Sequence, residues 1–469
     1  MKSRKTRKGE SRKLSVKSVM EPKSIAVIGA SKSPGKVGHT ILRNLIIGGF
    51  TGRIYAVNPN AGDVLGLKAH KSVLDIRERV DCAIIAIPAP YVKKAVLECA
   101  RKGVSGMVLV TGGFREIGEG RLEDEIAAIC RKNGIAMIGP NCLGIINVNK
   151  SVDSIFLPIY KMKRPLLGGI SFVMQSGAVG STVLDLISES NIGVSKFISY
   201  GNAAVLDESD FVKYLREDAE TKVIVLYVEG VKDGRRFYGE LKEAAKVKPV
   251  VVLKAGKGEL ASIAAKSHTG ALAGNYTVFS SMLRQAGAVE AENLESLLNL
   301  SKIFLQPLPK GDRVLIITNG GGDGVLAVDA VERNGLKLAK LSGRAARRLK
   351  RAFPKHVVVG NPLDLTGDAD GRRYRKALEE AIREEGVDSI IAITLFQTAG
   401  LGPEVVHEVV WANNSTDKTI VCTATGGEYT KMLLKIIESY NVPAYESPED
   451  SVDSIAKAVW YSRKRGRND

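Results

Sequence analysis

The sequence predicts an α/β protein in which helices cover mostly parallel sheets, arranged as successive domains. Largely apolar runs of strand length recur along the chain, for example at residues 24–28, 169–174 and 313–318. Each run leads into a turn that contains glycine and then into a helix-length segment with a polar face, which is the order expected of βαβ units. A chain of 469 residues is long enough for about three such domains.

Composition and charge narrow the function classes. The formal net charge is +17, and eight basic residues fall within residues 1–18 beside the single acid Glu10. Such a block is typical of a disordered tail, and no aromatic residues interleave with it, so we expect no nucleic-acid binding. The remaining excess of positive charge suits phosphate and carboxylate ligands.

Apolar runs and cysteines indicate the compartment. No apolar run is long enough to span a membrane, and the basic N-terminus lacks the apolar core of a secretion signal. Five cysteines form neither a CxxC pair nor a metal-ligand spacing, and an odd, unpaired count fits a reducing environment. We therefore expect a cytoplasmic protein with no metal site and no membrane partner.

The first domain, residues 19–150, opens with a strand, a glycine turn and a helix, as in Rossmann nucleotide-binding units. Glycines at 29, 35 and 38 give a loop longer than GxGxxG. The second strand, residues 53–57, ends in Asn58-Pro59-Asn60 and lacks the acidic residue that would bind a dinucleotide ribose. A nicotinamide oxidoreductase is therefore disfavoured.

The second domain, residues 151–305, carries the residues most suited to chemistry. Its predicted strands, at 169–174, 194–199, 222–228 and 249–254, form a parallel, doubly wound sheet. Gln175, Ser176 and Gly177 follow the first strand and begin a helix, and free amides at a helix start bind anions. Glu229 follows the third strand. His268 lies in a loop of small residues after the fourth.

If these strand ends converge, the residues fit phosphoryl transfer. Phosphate is held at Gln175–Gly177, Glu229 accepts the Nδ1 proton of His268, and the other ring nitrogen becomes the nucleophile. The alternative for His268 is a capping or hydrogen-bonded loop histidine.

The third domain, residues 306–469, repeats the second. The strand 313–318 and the turn Asn319-Gly320-Gly321 echo the strand and turn at Gln175-Ser176-Gly177. The copy has no histidine at the place of His268, which indicates duplication followed by specialisation.

The order Gln-Ser-Gly, Val-Glu-Gly and Ser-His-Thr-Gly-Ala resembles the α subunit of succinyl-CoA synthetase and, more closely, the ADP-forming acyl-CoA synthetases. The resemblance extends from about Val19 to the end of the chain. It implies a Rossmann-like CoA-binding domain, two flavodoxin-like domains and a transiently phosphorylated His268. It also implies an ATP-forming reaction of acyl-CoA, phosphate and ADP, with Glu229 beside the histidine.

The same resemblance implies the CoA site at the strand ends of the first domain. Backbone amides of the first loop meet the diphosphate, later strand ends line the pantetheine arm, and the Asn141 amide reaches the thioester. The alternative for Asn141 is a plain structural loop. The implied CoA-binding residues are Gly29, Ala30, Ser31, Lys32, Ser33, Pro34, Lys36, Gly38, Asn58, Pro59, Ile87, Pro88, Thr111, Gly112, Gly113 and Asn141.

The nucleotide site is missing from the sequence, which has no Walker A or protein-kinase loop. By resemblance, ADP or ATP with Mg²⁺ binds an ATP-grasp β subunit, and an α₂β₂ heterotetramer is expected. The chain ends soon after residue 445, so we expect an α subunit alone. A non-catalytic CoA-binding regulatory or scaffold protein on the same fold is the alternative. The acyl group, acetyl, branched-chain or aryl, is left open.

Overall fold

The predicted apolar runs form buried strands in the structure, a computed structural model that describes residues 14–258, 260–261 and 275–466. The chain divides into two units. The first comprises the described parts of Met1–Ser188, Gly193–Lys248 and Lys254–Ala286. The second comprises those of Glu189–Ile192, Pro249–Leu253 and Gly287–Asp469.

The first sheet of the first unit has the strand order β3-β4-β2-β1-β5-β6-β7. Only β3 and β4 pair antiparallel. The chain reverses direction across the sheet between β1 and β5, and ligands of open α/β sheets bind at such a switch point. The strands are β1 Ser24–Ile28, β2 Arg53–Val57, β3 Asp63–Val64, β4 Leu67–His70, β5 Cys82–Ile85, β6 Gly106–Leu109 and β7 Ala136–Ile138; the helices are α1 Lys17–Met20, α2 Val37–Ile47, α3 Ala89–Lys102 and α4 Gly120–Asn133.

The second sheet runs β12-β10-β11-β8-β9 within the first unit. Its strands are β8 Gly144–Asn147, β9 Val152–Asp153, β10 Leu167–Met174, β11 Val194–Ser199 and β12 Val223–Val228. The helices are α5 Gly177–Glu189, α6 Glu208–Glu217, α7 Gly234–Val247 and α8 Tyr276–Ala286. Strands β10, β11 and β12 are parallel as predicted. Strands β8 and β9 are antiparallel, because a short hairpin along one edge needs no crossover helix.

The second unit contains a sheet ordered β16-β15-β18-β19-β20, in which β17 also pairs with β15. Every pair in it is parallel, and β13 pairs in parallel with β14. The strands are β13 Val250–Lys254, β14 Val289–Ala291, β15 Arg313–Thr318, β16 Lys337–Leu338, β17 Leu363–Asp364, β18 Ser389–Ile393, β19 Thr419–Thr423 and β20 Ala444–Tyr445; the helices are α9 Leu294–Ile303, α10 Gly321–Arg333, α11 Gly343–Ala352, α12 Gly371–Arg383, α13 Glu404–Asn414, α14 Glu428–Ser439 and α15 Pro448–Arg465.

The internal repeat is visible in the topology. Strand β10 lies between β11 and β12, and β15 lies between β16 and β18, so each repeat begins with a central strand. A tight turn then leads into α5 or α10. Among the described residues, no helix combines the length and apolar character needed to cross a membrane.

Candidate active site

A cavity of about 410 Å³ lies in the first unit, where strands of both its sheets end. Segments that follow β6, β7, β10, β11 and β12 contribute to its walls. Of the predicted site residues, the cavity brings together Gln175, Ser176, Gly177, Glu229 and Asn141. The expected convergence of phosphate-binding and carboxylate residues therefore occurs in the structure.

The turn predicted to bind phosphate is the start of α5. The Ser176 hydroxyl accepts a hydrogen bond from the Val179 N–H at 3.3 Å and so caps the helix. The N–H groups of Gly177 and Ala178 have no helical acceptor, because the first turn of a helix has none to offer. A side chain at Gly177 would find its nearest neighbour, the Leu143 nitrogen, 3.7 Å away. The helix start thus has both free donors and space for an anion.

Gln175 has a role that the sequence did not predict. Its side-chain oxygen accepts hydrogen bonds from the Glu229 N–H at 2.7 Å and the Gly230 N–H at 3.1 Å. The side-chain oxygen therefore fixes the carboxylate-bearing segment, and the side-chain NH₂ is the group left to meet an anion. Gln175 joins the phosphate turn to Glu229.

Glu229 is buried, with 7% of its surface exposed, and two neighbours surround it. The Tyr227 hydroxyl bonds to its side chain, and burial together with the Glu229 charge raises the pKa of Tyr227. The Lys254 ammonium donates to the Glu229 carbonyl at 2.8 Å. Burial lowers the pKa of Lys254, and the charge of Glu229 partly opposes that shift. Lys254 was missed because a lysine at the end of an apolar strand run shows no motif.

At the predicted CoA site, the loop after β1 packs closely on its neighbours. Gly29 has φ +95°, and a side chain there would lie 2.3 Å from the Ala86 carbonyl oxygen. One at Gly38 would lie 2.0 Å from the Gly29 oxygen. Only glycine permits this approach. Lys36, which precedes α2, makes no side-chain cap, so the first amides of α2 are available to a diphosphate.

Side chains at the same sheet edge hold the loop in shape. The Asn58 amide donates to the Ala30 carbonyl at 2.6 Å, and the buried His39 ring lies 2.8 Å from the Ser31 carbonyl. The Thr111 hydroxyl donates to the Ile87 carbonyl at 2.8 Å. His39 is thus a structural residue of the loop. Lys32, in contrast, is exposed and pairs with Asp63 at 3.1 Å.

Comparisons with known proteins agree with this architecture. Three protein-family models match: a CoA binding domain over residues 23–148, a succinyl-CoA ligase like flavodoxin domain over 167–304 and a ligase-CoA domain over 314–463. The α subunit of acetate–CoA ligase (ADP-forming) II of Pyrococcus furiosus is 40% identical over 95% of this chain and 97% of its own length. The chain belongs to the family of ADP-forming acetate–CoA ligase α subunits.

Two further relatives extend the likeness. Acetate–CoA ligase (ADP-forming) I of Archaeoglobus fulgidus is 41% identical over 94% of this chain, which covers 63% of that relative's length. The solved dinucleotide-forming acetyl-CoA synthetase 1 of Candidatus Korarchaeum cryptofilum, in complex with phosphate and ADP, matches with a TM-score of 0.90 and 33% identity. It covers 96% of this chain and 97% of its own. The family resemblance and the fold class are thereby confirmed, and the catalytic interpretation is favoured over the regulatory one.

In this ligase α subunit, Asn141 connects the two sheets of the first unit. It has φ +58°, and its side-chain NH₂ donates a hydrogen bond to the Asn202 side-chain oxygen Oδ1 at 3.4 Å. The Asn202 amide in turn donates to Glu116 at 2.7 Å and to Glu123 at 2.8 Å. Gly201 must be glycine, because a side chain there would lie 2.2 Å from the Asn141 carbonyl oxygen. The loop that carries Asn141 is therefore fixed against the segment after β11.

Three other residues, His268, Cys142 and His356, are of types that can carry chemistry. His268 lies outside the described residues, so its hydrogen bond with Glu229 stays a prediction. Cys142 lines the cavity, but burial raises the pKa of its thiol to about 12, so the residue lacks the thiolate character of a reactive cysteine. His356 is an exposed residue whose Nε2 lies 3.2 Å from the Asp368 carboxylate.

Proposed function

We propose that the chain binds CoA and carries the phosphohistidine of an ADP-forming acyl-CoA synthetase. The enzyme converts acyl-CoA, phosphate and ADP to a carboxylic acid, CoA and ATP. The observation that carries the proposal is the single cavity lined by the Gln175–Gly177 turn, the Glu229 carboxylate and Asn141.

The reaction begins at the start of α5. Phosphate held by the Gly177 and Ala178 amides attacks the thioester carbonyl, the carbon–sulfur bond breaks, and CoA leaves as the thiol with the proton of the phosphate. The acyl phosphate then transfers its phosphoryl group to His268, releasing the carboxylate. Glu229, held in place by Gln175 and Lys254, accepts the Nδ1 proton of His268 and stabilises the charge that develops on the ring.

CoA binding is assigned to the switch point of the first sheet. We assign the diphosphate to backbone amides of residues 30–34 and to the charge of Lys36, in the loop whose course the close approach of Gly29 and Gly38 fixes. Pro59, Pro88, Gly112 and Gly113 lie at neighbouring strand ends along the same edge. Asn141 then lies at the far end of that edge, on the wall of the phosphate cavity.

The nucleotide belongs to a second subunit. The chain covers 63% of the Archaeoglobus fulgidus relative, and the remaining third of such a relative is long enough for the missing nucleotide module. We assign that module to an ATP-grasp β subunit with ADP and Mg²⁺, in an α₂β₂ assembly in the cytoplasm. Acetate is the acid named for the Pyrococcus furiosus and Archaeoglobus fulgidus relatives, so acetyl-CoA is the first substrate to test.

The test is transfer of label from phosphate to protein. The chain incubated with radiolabelled phosphate and acetyl-CoA should acquire label that is stable to base and labile to acid, the behaviour of phosphohistidine. His268→Ala should lose at least about 10³-fold of the labelling rate and of ATP formation with the β subunit, since no other group replaces a nucleophile.

His356→Ala is the matched control, because His356 is an exposed histidine of the second unit. It should retain full labelling, and both variants should bind CoA as the wild type does. Persistent labelling of His268→Ala would show that the phosphoryl group is carried elsewhere. Absence of label on the wild type would support the regulatory alternative.

A further inference from the structure

A second buried carboxylate, Glu208, lines the phosphate cavity. It is the first residue of α6 and is 2% exposed. Its neighbour Asp207 caps that helix by accepting hydrogen bonds from the N–H groups of Ser209 and Asp210. Glu208 takes no part in this capping box, and its carboxylate accepts a hydrogen bond from its own N–H.

The cavity would be strongly anionic if both of its glutamates were charged. Glu208 and Glu229 belong to different segments, and the charges of both act on the buried hydroxyl of Tyr200. That hydroxyl has no hydrogen-bond partner within the described part of the chain. Among the described residues that line the cavity, Lys232 alone is cationic. Its ammonium is already bound to the carbonyl groups of Asn202 and Ala203, at 2.9 and 2.8 Å.

A doubly charged oxyanion bound at the start of α5 would lie in the same cavity as both glutamates and would be repelled by their charges. Like charges a few ångströms apart repel each other strongly where little water screens them, and a dianion doubles the repulsion. A neutral carboxylic acid removes the repulsion and can donate a hydrogen bond to the anion. One of the two glutamates therefore has reason to be protonated while the anion is bound.

We propose that Glu208 is the proton-linked residue of the phosphate site: it takes up a proton when a dianionic tetrahedral oxyanion occupies the cavity, and so couples phosphate affinity to pH. The proposal rests on the phosphate site assigned under the proposed function. It makes Glu208 a residue that sets the charge of the site, whereas Glu229 remains the residue that orients the histidine.

The groups around Glu208 agree with this assignment. Burial raises the pKa of Glu208 to about 7, and the charge of Asp207 raises it as well, whereas its own N–H, Lys232 and Arg236 lower it. Arg236, on α7, is engaged by Asp207 and Asp210. Strand β10 contains no titratable side chain, and β12 contains only Tyr227. A group with this pKa changes charge within the physiological range, unlike an exposed glutamate.

The experiment uses sulfate, because sulfate remains a dianion across the pH range whereas phosphate itself titrates near neutrality. Sulfate binding to the full chain is measured by calorimetry at pH 6, 7 and 8. For a site that binds the anion only when Glu208 is protonated, affinity should fall about tenfold from pH 6 to pH 8. At pH 8 the binding enthalpy should depend on the buffer in the way that uptake of nearly one proton requires.

Glu208→Gln keeps the shape of the side chain and fixes it as neutral. The variant should bind sulfate at pH 8 about as tightly as the wild type does at pH 6, with no pH dependence and no proton uptake. Glu243→Gln, an exposed acid on α7, should behave like the wild type. A residue with a merely structural role would lower affinity equally at every pH.

Two results would overturn the proposal while leaving the phosphate site intact. One is a wild-type pH dependence retained in Glu208→Gln. The other is a pH dependence that disappears in His268→Ala instead, which would assign the proton to the histidine. Failure of the wild type to bind sulfate or phosphate at any pH would overturn the α5 phosphate site and this proposal with it.

Discussion

The two strand–turn–helix regions of the repeat share a construction and differ in what surrounds it. In the first, the Gln175 side chain accepts the Glu229 N–H at 2.7 Å; in the second, the Asn319 side chain accepts the Leu395 N–H, also at 2.7 Å. Each amide thereby ties the turn after the central strand to the end of the neighbouring strand. The repeat thus preserved a means of holding two strand ends together.

The surroundings of the two helix starts decide which can bind an anion. A side chain at Gly321 would lie 3.0 Å from the Asp364 carboxylate, and Asp323 stands in the first turn of α10. The corresponding space beside Gly177 is open. Asn319 is further bound by the Tyr374 hydroxyl at 2.9 Å, and Leu395 occupies the place of Glu229. A helix N-terminus is therefore necessary for this site but not sufficient.

The largest effect is expected at Glu229. The two regions differ most in chemistry there, because Leu395 occupies the corresponding place in the second region. Glu229→Gln keeps the backbone hydrogen bond to Gln175 but removes the charge that orients and stabilises the histidine. We expect phosphorylation of His268 to slow by about 10²–10⁴-fold. Rapid-quench labelling would measure it, with Glu243→Gln as the control for loss of a distant carboxylate. A wild-type rate would mean that the carboxylate does not face His268.

A second substitution introduces a feature of the Asn319–Gly321 turn, the silent turn, into the Gln175–Gly177 turn that is proposed to bind phosphate. Aligning Gly177 with Gly321 places Val179 opposite Asp323, so Val179→Asp puts a carboxylate in the first turn of α5. Helix stability should be maintained, since acidic residues suit this position. Repulsion of the bound dianion should raise the KM for phosphate at least about tenfold, with little change in the KM for acetyl-CoA.

Val179→Asn separates charge from size in that experiment. It should leave the KM for phosphate within about threefold of the wild type, because a neutral amide does not repel the anion. If both variants raise the KM equally, the position matters for packing, and the anion binds away from the α5 start.

Much of this comparison could be predicted from the sequence, because strand ends are local features. Apolar runs locate β10, β12 and β15, and parallel strands bring their carboxyl ends to one edge. The sequence alone therefore predicted the gathering of Ser176 and Glu229, now seen around a single cavity.

The rest depends on contacts between distant residues. Nothing near Glu208 or Lys254 signals burial beside a phosphate turn, because the segments that bury them lie elsewhere in the chain. The antiparallel edge pair β8 and β9 was missed for a similar reason, as four- and two-residue strands carry too little pattern to show which sheet they join. Asn58 shows the same limit: its amide holds the Ala30 carbonyl, a contact that spacing does not reveal.

The smallest expected effect concerns the stability of the protein and is expected at Asp323, in the helix turn that follows the Asn319–Gly321 turn. Burial and the charge of Glu449 raise the pKa of Asp323, so the folded state holds its proton more tightly than the unfolded chain does. Stability should therefore fall as pH rises through the interval between the unfolded and folded pKa values.

Asp323→Asn removes that penalty, and it should be more stable than the wild type at pH 8 by at most about 1 kcal/mol, because the residue is partly exposed. The difference should shrink as pH is lowered, which urea denaturation at several pH values would measure. Activity should be unchanged, since the second turn binds no phosphate. A loss of stability at pH 8 would show that the attraction between the carboxylate and the α10 dipole outweighs its burial, and a loss of activity would show that the second turn is not silent.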